Sequence, residues 1–270
     1  MMNALRTIGT LLHSSWLMAL SYRLNMLMSI GGLVFSVVPI YFVATALQPT
    51  MASKIAQEGG QFFAFVLVGG IAVAFVTLAL NALPGVIGSS IGSGTFEAIL
   101  AAPTPLPVAL AGLTAYEVVF QLVRSALMLI AGAALGAVFA WTHVASALLI
   151  LALLVLAYLP LGMIAASLQL AFRTSGPMIP LIIIASTLLG GVYYPTTVIP
   201  SWIQKLSVAV PMTYGLRALR QVLLRGLPIS DTIGELGALL VFIGVGGAIG
   251  LAALNWSLAY SRRVGTLSQY

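Results

Sequence analysis

Gln61-FFAFVLVGGIAVAFVTLALNA-Leu83 runs without one charged side chain. A membrane-crossing helix needs about 20 mostly apolar residues. A helix at the surface of a soluble protein keeps a polar face, whereas this stretch is apolar on every side. It therefore reads as a transmembrane helix, and it sets the scale for reading the rest of the chain.

Leu24–Leu47, with Pro39 as a kink, is a second such stretch. Pro107–Ala140, Ala145–Phe172, Pro177–Tyr194 and Thr232–Tyr260 complete the set. The expectation is an all-α membrane protein, one domain over 1–270. Its six transmembrane helices fall at about 24–47, 61–83, 107–140, 145–172, 177–194 and 232–260. Residues 48–60 are polar, 84–106 are rich in Gly, Ser and Pro, and 195–230 are mixed.

Composition agrees. Of 270 residues, 61% are hydrophobic and 6% charged, against about 25% charged in soluble domains. Such a chain cannot cover a water-facing surface, but lipid accepts an apolar exterior. The net charge of +6 comes from scattered residues, so no basic run suggests nucleic acid as a partner. With no cysteine there is neither a disulfide framework nor a thiolate metal site. His13 and His143 fall on opposite expected faces, which argues against a metal.

Residues 1–23 lack the layout of a cleavable signal peptide, because His13, Ser14 and Ser15 interrupt the apolar stretch. Leu5, Ile8, Leu12, Trp16 and Ala19 recur at helical spacing, largely apart from Arg6, Thr10, His13 and Ser14. This predicts an amphipathic helix lying in the interface. Arg6, Arg23, Arg173, Arg262 and Arg263 fall on the side of the termini. Lys54, Lys205, Arg217, Arg220 and Arg225 fall opposite, so the count is even. The basic residues nearest span ends, Arg23, Arg173, Arg262 and Arg263, favour cytoplasmic termini.

Two loops are informative. In Gly92-SGTFEAILAAPTPL-Pro107, Thr95 is placed to cap a short helix at about 94–102. Phe96, Ile99 and Leu100 would share its apolar face, and Pro103 would end it. An apolar face on a cytoplasmic connector implies a surface to dock on, its own bundle or a partner. In the second loop, Pro200 is placed to start a helix holding Trp202, Ile203 and Leu206, which Pro211 breaks. Leu216, Leu219, Val222 and Leu223 then form an apolar face, with Arg217, Arg220 and Gln221 assigned to the opposite one. Gly226 and Pro228 stop that helix. Two half-helices before the last span read as interfacial or re-entrant.

Within the spans, Glu117 and Arg124 stand seven apart and share a helix face. They are candidates for an intramembrane pair, or for two solvated groups. Asn81, Gln121, Gln169, Ser186 and Thr187 are candidates for lining a path or bonding between helices. Gly132-xxx-Gly136 and Gly246-xxx-Gly250 permit close helix contact. Neither Lys54 nor Lys205 sits in a Gly-Lys-Ser/Thr sequence, so the chain has no P-loop. If ATP drives this protein, another polypeptide binds it.

Gly94-Thr-Phe-Glu-Ala-Ile-Leu100 with its Pro103-Thr-Pro-Leu-Pro107 exit resembles the signature of ABC type-2 transporter permeases. So do Tyr193-Tyr194-Pro195, Ile199-Pro-Ser-Trp-Ile203, Pro211-Met-Thr-Tyr214 and Ala218-Leu-Arg220. The six-span layout fits as well. The resemblance implies a cytoplasmic coupling helix carried by Gly94, Thr95, Phe96, Glu97, Ile99 and Leu100, seated in a groove of an ATP-binding cassette subunit. It implies two permease copies, here a homodimer, and ATP with Mg on the partner chain, with no cofactor on this one. It implies extracellular half-helices at about 196–226, carried by Tyr194, Pro195, Pro200, Trp202, Pro211, Tyr214, Arg217 and Arg220. It implies a multi-pass protein of the cell (inner) membrane that exports an amphipathic, lipid-linked or hydrophobic cargo.

The alternative function is a stand-alone secondary transporter or channel. Such chains tend to show internal repeats and mid-membrane charges, and no repeat is evident here. A lipid-acting enzyme would need a clustered nucleophile, base or metal set. Five acids and two separated histidines do not supply one.

Overall fold

The structure, a computed structural model, describes residues 23–95, 101, 106–172 and 177–264, with Arg6, Gly9, Thr10, His13, Ser14 and Trp16. The described residues form helices, turns and loops, with no strand among them. The α-helices are α1 (Arg23–Met51), α2 (Phe62–Gly92), α3 (Leu106–Ala134), α4 (Val144–Phe172), α5 (Met178–Leu189), α6 (Ser201–Ser207), α7 (Pro211–Leu223) and α8 (Ile233–Val264). Five helical stretches are long and apolar enough to cross a membrane.

The helix over the opening stretch is the centre of the bundle. Phe65, Leu67, Ala72 and Leu80 of α2 are fully buried. It packs against α1, α3, α4 and α7, while α8 lies against α4 and α7. Phe35 and Phe42 of α1, Ile130 of α3, and Val241, Val245 and Ile249 of α8 are exposed apolar side chains. In water that surface would be costly; in lipid it costs nothing.

Small residues set the closest approaches. A Cβ at Gly162 of α4 would lie 2.5 Å from the Ala79 carbonyl oxygen of α2. Gly246 and Gly250 of α8 cradle Pro160: a Cβ at Gly250 would stand 3.0 Å from the Pro160 oxygen. One of the two Gly-xxx-Gly pairs is thus a helix contact. In the other, Gly132 packs on Leu67, but Gly136 (φ +94°) ends α3.

Four boundaries differ from expectation. α1 runs on to Met51 with Pro49 inside it. α2 continues past Leu83 to Gly92, because Pro84 forfeits one backbone bond without breaking the helix. α3 stops at Ala134, six residues short of Ala140, where Gly136 takes the left-handed conformation. The fifth expected span holds a helix of only 12 residues, α5. At 1.5 Å per residue it covers about 18 Å, well short of a hydrocarbon core of about 30 Å.

The loops at the N-terminal ends of α2, α4 and α8 gather at one end of the bundle. The Gln48 side chain accepts from Phe62 N–H (2.7 Å) and donates to the Gly60 carbonyl (2.8 Å). It thereby satisfies an orphan donor at the start of α2. Gln61 likewise donates to the Gly136 carbonyl (2.7 Å) and accepts from Val138 N–H (2.9 Å), tying the loop after α3 to the start of α2. Ala140 N–H donates to the Leu223 carbonyl (2.8 Å), which joins α7 to the same end.

Arg6, Gly9, Thr10, His13, Ser14 and Trp16 are helical. Arg6, Thr10, His13 and Ser14 are exposed, whereas Trp16 is half-buried, edge-on to Tyr116 of α3.

Candidate functional site

At the opposite end of α2, the chain leaves the helix through Gly94 (φ +68°). Gly94 N–H donates to the Ile91 carbonyl (3.0 Å) and Thr95 N–H to the Ser90 carbonyl (2.9 Å). This is a Schellman ending. The Thr95 hydroxyl faces back towards the Ser90 carbonyl (3.4 Å) and the Ser93 hydroxyl (2.8 Å). Glycine at 94 is required because only it adopts that φ without strain. Phe96, Glu97, Ile99 and Leu100 lie outside the described residues; Ala101 is helical and exposed.

The loop-rich end holds the half-helices. Pro195 is buried and extended (φ −69°, ψ 140°). Pro200 precedes α6, and its carbonyl accepts from Ile203 and Gln204 N–H. Trp202 is exposed. Pro211 opens α7, where its missing N–H would have no helical partner anyway. Tyr194 donates to the Leu188 carbonyl (2.8 Å), and Tyr214 to the Val208 carbonyl (3.1 Å). Arg217 is exposed.

Arg220 is not on the polar face assigned to it: its side chain is 3% exposed. It stands four residues after Leu216 and three before Leu223, so helical spacing itself puts it with the apolar face. Its Nη1 donates to Glu58 Oε2 (3.0 Å), and its Nη2 to the carbonyls of Gly191 and Val192 (3.0 Å each). The guanidinium also sits over the Phe65 ring, 3.4 Å from the centroid. The physical need is local. The chain turns at Gly191 (φ +72°) inside the bundle and leaves non-helical carbonyls in an apolar setting. One planar cation satisfies two of them. Burial pulls the Arg220 pKa down to about 10, and Glu58 opposes that shift, so the group stays charged at neutral pH. Glu58 lies in the polar stretch 48–60, and nothing in its sequence neighbours signals the pairing.

Glu117 and Arg124 do not meet: no hydrogen bond or ion pair joins them. Arg124 is half-buried, its Nε has no partner, and its guanidinium lies 5.7 Å from the Phe120 centroid. Glu117 faces a partly open cavity of about 490 Å³ between α2 and α3, lined also by Thr77, Asn81, Ser89 and Gln121. A second cavity of about 370 Å³ lies nearer the loop-rich end, walled by Ile71, Phe75, Leu122, Leu148 and Leu219. The first is part polar and the second almost wholly apolar. Of the other candidates, Ser186 bonds between helices, accepting from the Tyr158 hydroxyl at 2.7 Å. Thr187 donates to its own helix at Ile183, and the Gln169 amide packs beside Gly88. Among the described residues no group of three or more His, Asp or Glu is placed to hold a metal ion.

Residues 6–224 match the sequence model of a family described as ABC-2 type transporter. The chain is 26% identical over 192 residues to the Linearmycin resistance permease protein LnrN of Bacillus subtilis (strain 168). That alignment covers 69% of this chain and 48% of the relative, so the chain spans about half the length of the curated protein it matches.

Proposed function

This chain belongs to the ABC-2 type transporter family, and on that footing we propose that it is the membrane-spanning permease subunit of an ATP-binding cassette exporter. The observation that carries the reading is the family match across residues 6–224, which takes in both loops. The lack of a Gly-Lys-Ser/Thr sequence in these 270 residues supports placing ATP and Mg on a separate ATPase subunit.

In this reading the segment after Gly94, from Thr95 to Leu100, is the coupling helix. The Schellman ending fixes the direction in which the chain leaves α2. Closure of the ATPase pushes on that segment, and α2, rigid and central, carries the movement into the bundle. The Arg220 cluster and the half-helices form the outer end. α5 and the turn after it bring the chain back across, so both termini face the cytoplasm of a plasma (inner) membrane. Two copies pair, and the exposed apolar flanks of α1, α3 and α8 are available for partner copy and lipid.

The cargo is amphipathic, lipid-linked or hydrophobic, and export is the direction. Two cavities against α2 and α3, one part polar and one apolar, support an amphipathic cargo. The test is ATP-dependent accumulation of a panel of fluorescent amphiphiles in inside-out vesicles. Glu97→Arg and Phe96→Ala should each reduce it several-fold. Undiminished transport in both variants, at normal expression, contradicts the coupling assignment.

A further inference from the structure

The cavity between α2 and α3 gathers several acceptors around Glu117. Asn81 donates one amide N–H to the Thr77 carbonyl of its own helix (2.8 Å), which leaves its Oδ1 free to accept. Ser89 spends its hydroxyl proton on the Val86 carbonyl (3.1 Å). The Gln121 amide contacts the Ser125 hydroxyl (3.2 Å), which leaves its carbonyl oxygen free. Among the described residues no hydrogen-bond donor reaches the Glu117 carboxylate. Arg124, two turns further along α3, does not line the cavity.

Depth makes this arrangement informative. Glu117 stands eleven residues from the start of α3 at Leu106. That is about 16 Å along the axis at 1.5 Å per residue, inside the candidate membrane span Val108–Ala134. An unpaired carboxylate at such depth is costly, and such residues usually face a water-filled path or a ligand. Here the carboxylate is exposed to a cavity wide enough for a ligand head, with carbonyl acceptors around it and, among the described residues, no cation lining it. The missing complement is a positive charge carrying N–H donors.

We infer that this cavity binds the cationic, hydrogen-donating head of the cargo: an ammonium or guanidinium group on an amphipathic molecule, held by Glu117, Asn81 and Gln121. The inference rests on the exporter reading and names the chemical class of its substrate. Glu117 supplies the charge that selects a cation, and the two amides accept from its N–H groups. A neutral amphiphile gains no ion pair there and an anionic one is repelled by Glu117, so both are disfavoured.

The test uses the full chain in lipid nanodiscs, with two probes that differ in one group. Dansylcadaverine carries a primary ammonium; its N-acetylated form carries none. Binding is read by dansyl fluorescence without ATP, for the unaltered chain and for Glu117→Gln, Glu117→Asp and Asn81→Leu. Melting in the same discs verifies folding. The unaltered chain should bind the ammonium probe about ten-fold tighter than the acetylated one. Glu117→Gln should erase that preference, Glu117→Asp should keep most of it, and Asn81→Leu should weaken it about three-fold. Equal affinity for both probes, or an ammonium preference unchanged in folded Glu117→Gln and Asn81→Leu, overturns the inference. ATP-driven transport is scored separately with the cognate ATPase. Its loss with ammonium preference intact would sink the exporter reading and not the site; the reverse pattern would sink the site alone.

Discussion

Arg220 and Glu58, 162 residues apart in the chain, meet at 3.0 Å and tie α7 to the loop that precedes the central helix. The pair neutralises a buried cation that also holds the turn at Gly191 and Val192. Removing one partner of a buried pair typically costs about 3–5 kcal/mol. Glu58 is 27% exposed and two carbonyl bonds survive, so Glu58→Gln should cost less, about 2 kcal/mol. In a chain of this size that lowers Tm by roughly 4–8 °C. Adding Glu58→Gln to Arg220→Met should cost almost nothing more. Thermal melting of the four forms in detergent checks this; additive losses would show that the two residues act independently.

A methyl group at Gly162 has no room, because the Ala79 carbonyl of α2 is backbone and cannot rotate away. Gly162→Ala should destabilise the α2–α4 contact by about 1–3 kcal/mol. Gly247→Ala, which meets nothing within 4 Å, should be neutral. Melting and folded yield of the two variants side by side decide the matter.

Tyr158 is fully buried, and its hydroxyl reaches Ser186 at 2.7 Å, fastening α5 to α4. Interhelical bonds in membranes average about 0.6 kcal/mol, with a maximum near 1.7. Tyr158→Phe and Ser186→Ala should each fall in that range. The double variant should be no worse than the poorer single one, as a coupled pair requires.

The chain has no cysteine, so single introduced thiols report sidedness cleanly. Ser53 and Ser93 are exposed at opposite ends of α2. A membrane-impermeant maleimide added to intact cells should label Ser53→Cys and leave Ser93→Cys unlabelled until the membrane is opened. The converse pattern would invert the proposed topology.

Much of this was legible in the sequence. Uniform apolarity marked the long helices, because lipid imposes composition on every face. Pro200, Pro211 and Gly226 marked the ends of the half-helices, because each acts through its own backbone. The helix in the fifth stretch is shorter than expected: hydropathy continues through Gly190 and Gly191, whereas the helix stops where Arg220 and Met212 come to meet that turn. That is a long-range fact with no local sign. Arg220 was legible in part, since spacing set it beside Leu216 and Leu223, and its charge alone argued for the other face. Of the two readings open for Glu117 and Arg124, a pair or two separate groups, the structure shows no contact between them. Seven residues of spacing give a shared face, not a contact, and Glu117 turned to the cavity instead.

The most direct test of the central claim is gentle extraction of the tagged chain from its native membrane, with mass spectrometry of the proteins that accompany it. The account predicts a soluble P-loop ATPase recovered near one-to-one with this chain. Recovery of the chain alone, with no ATPase activity across several detergents, would contradict it.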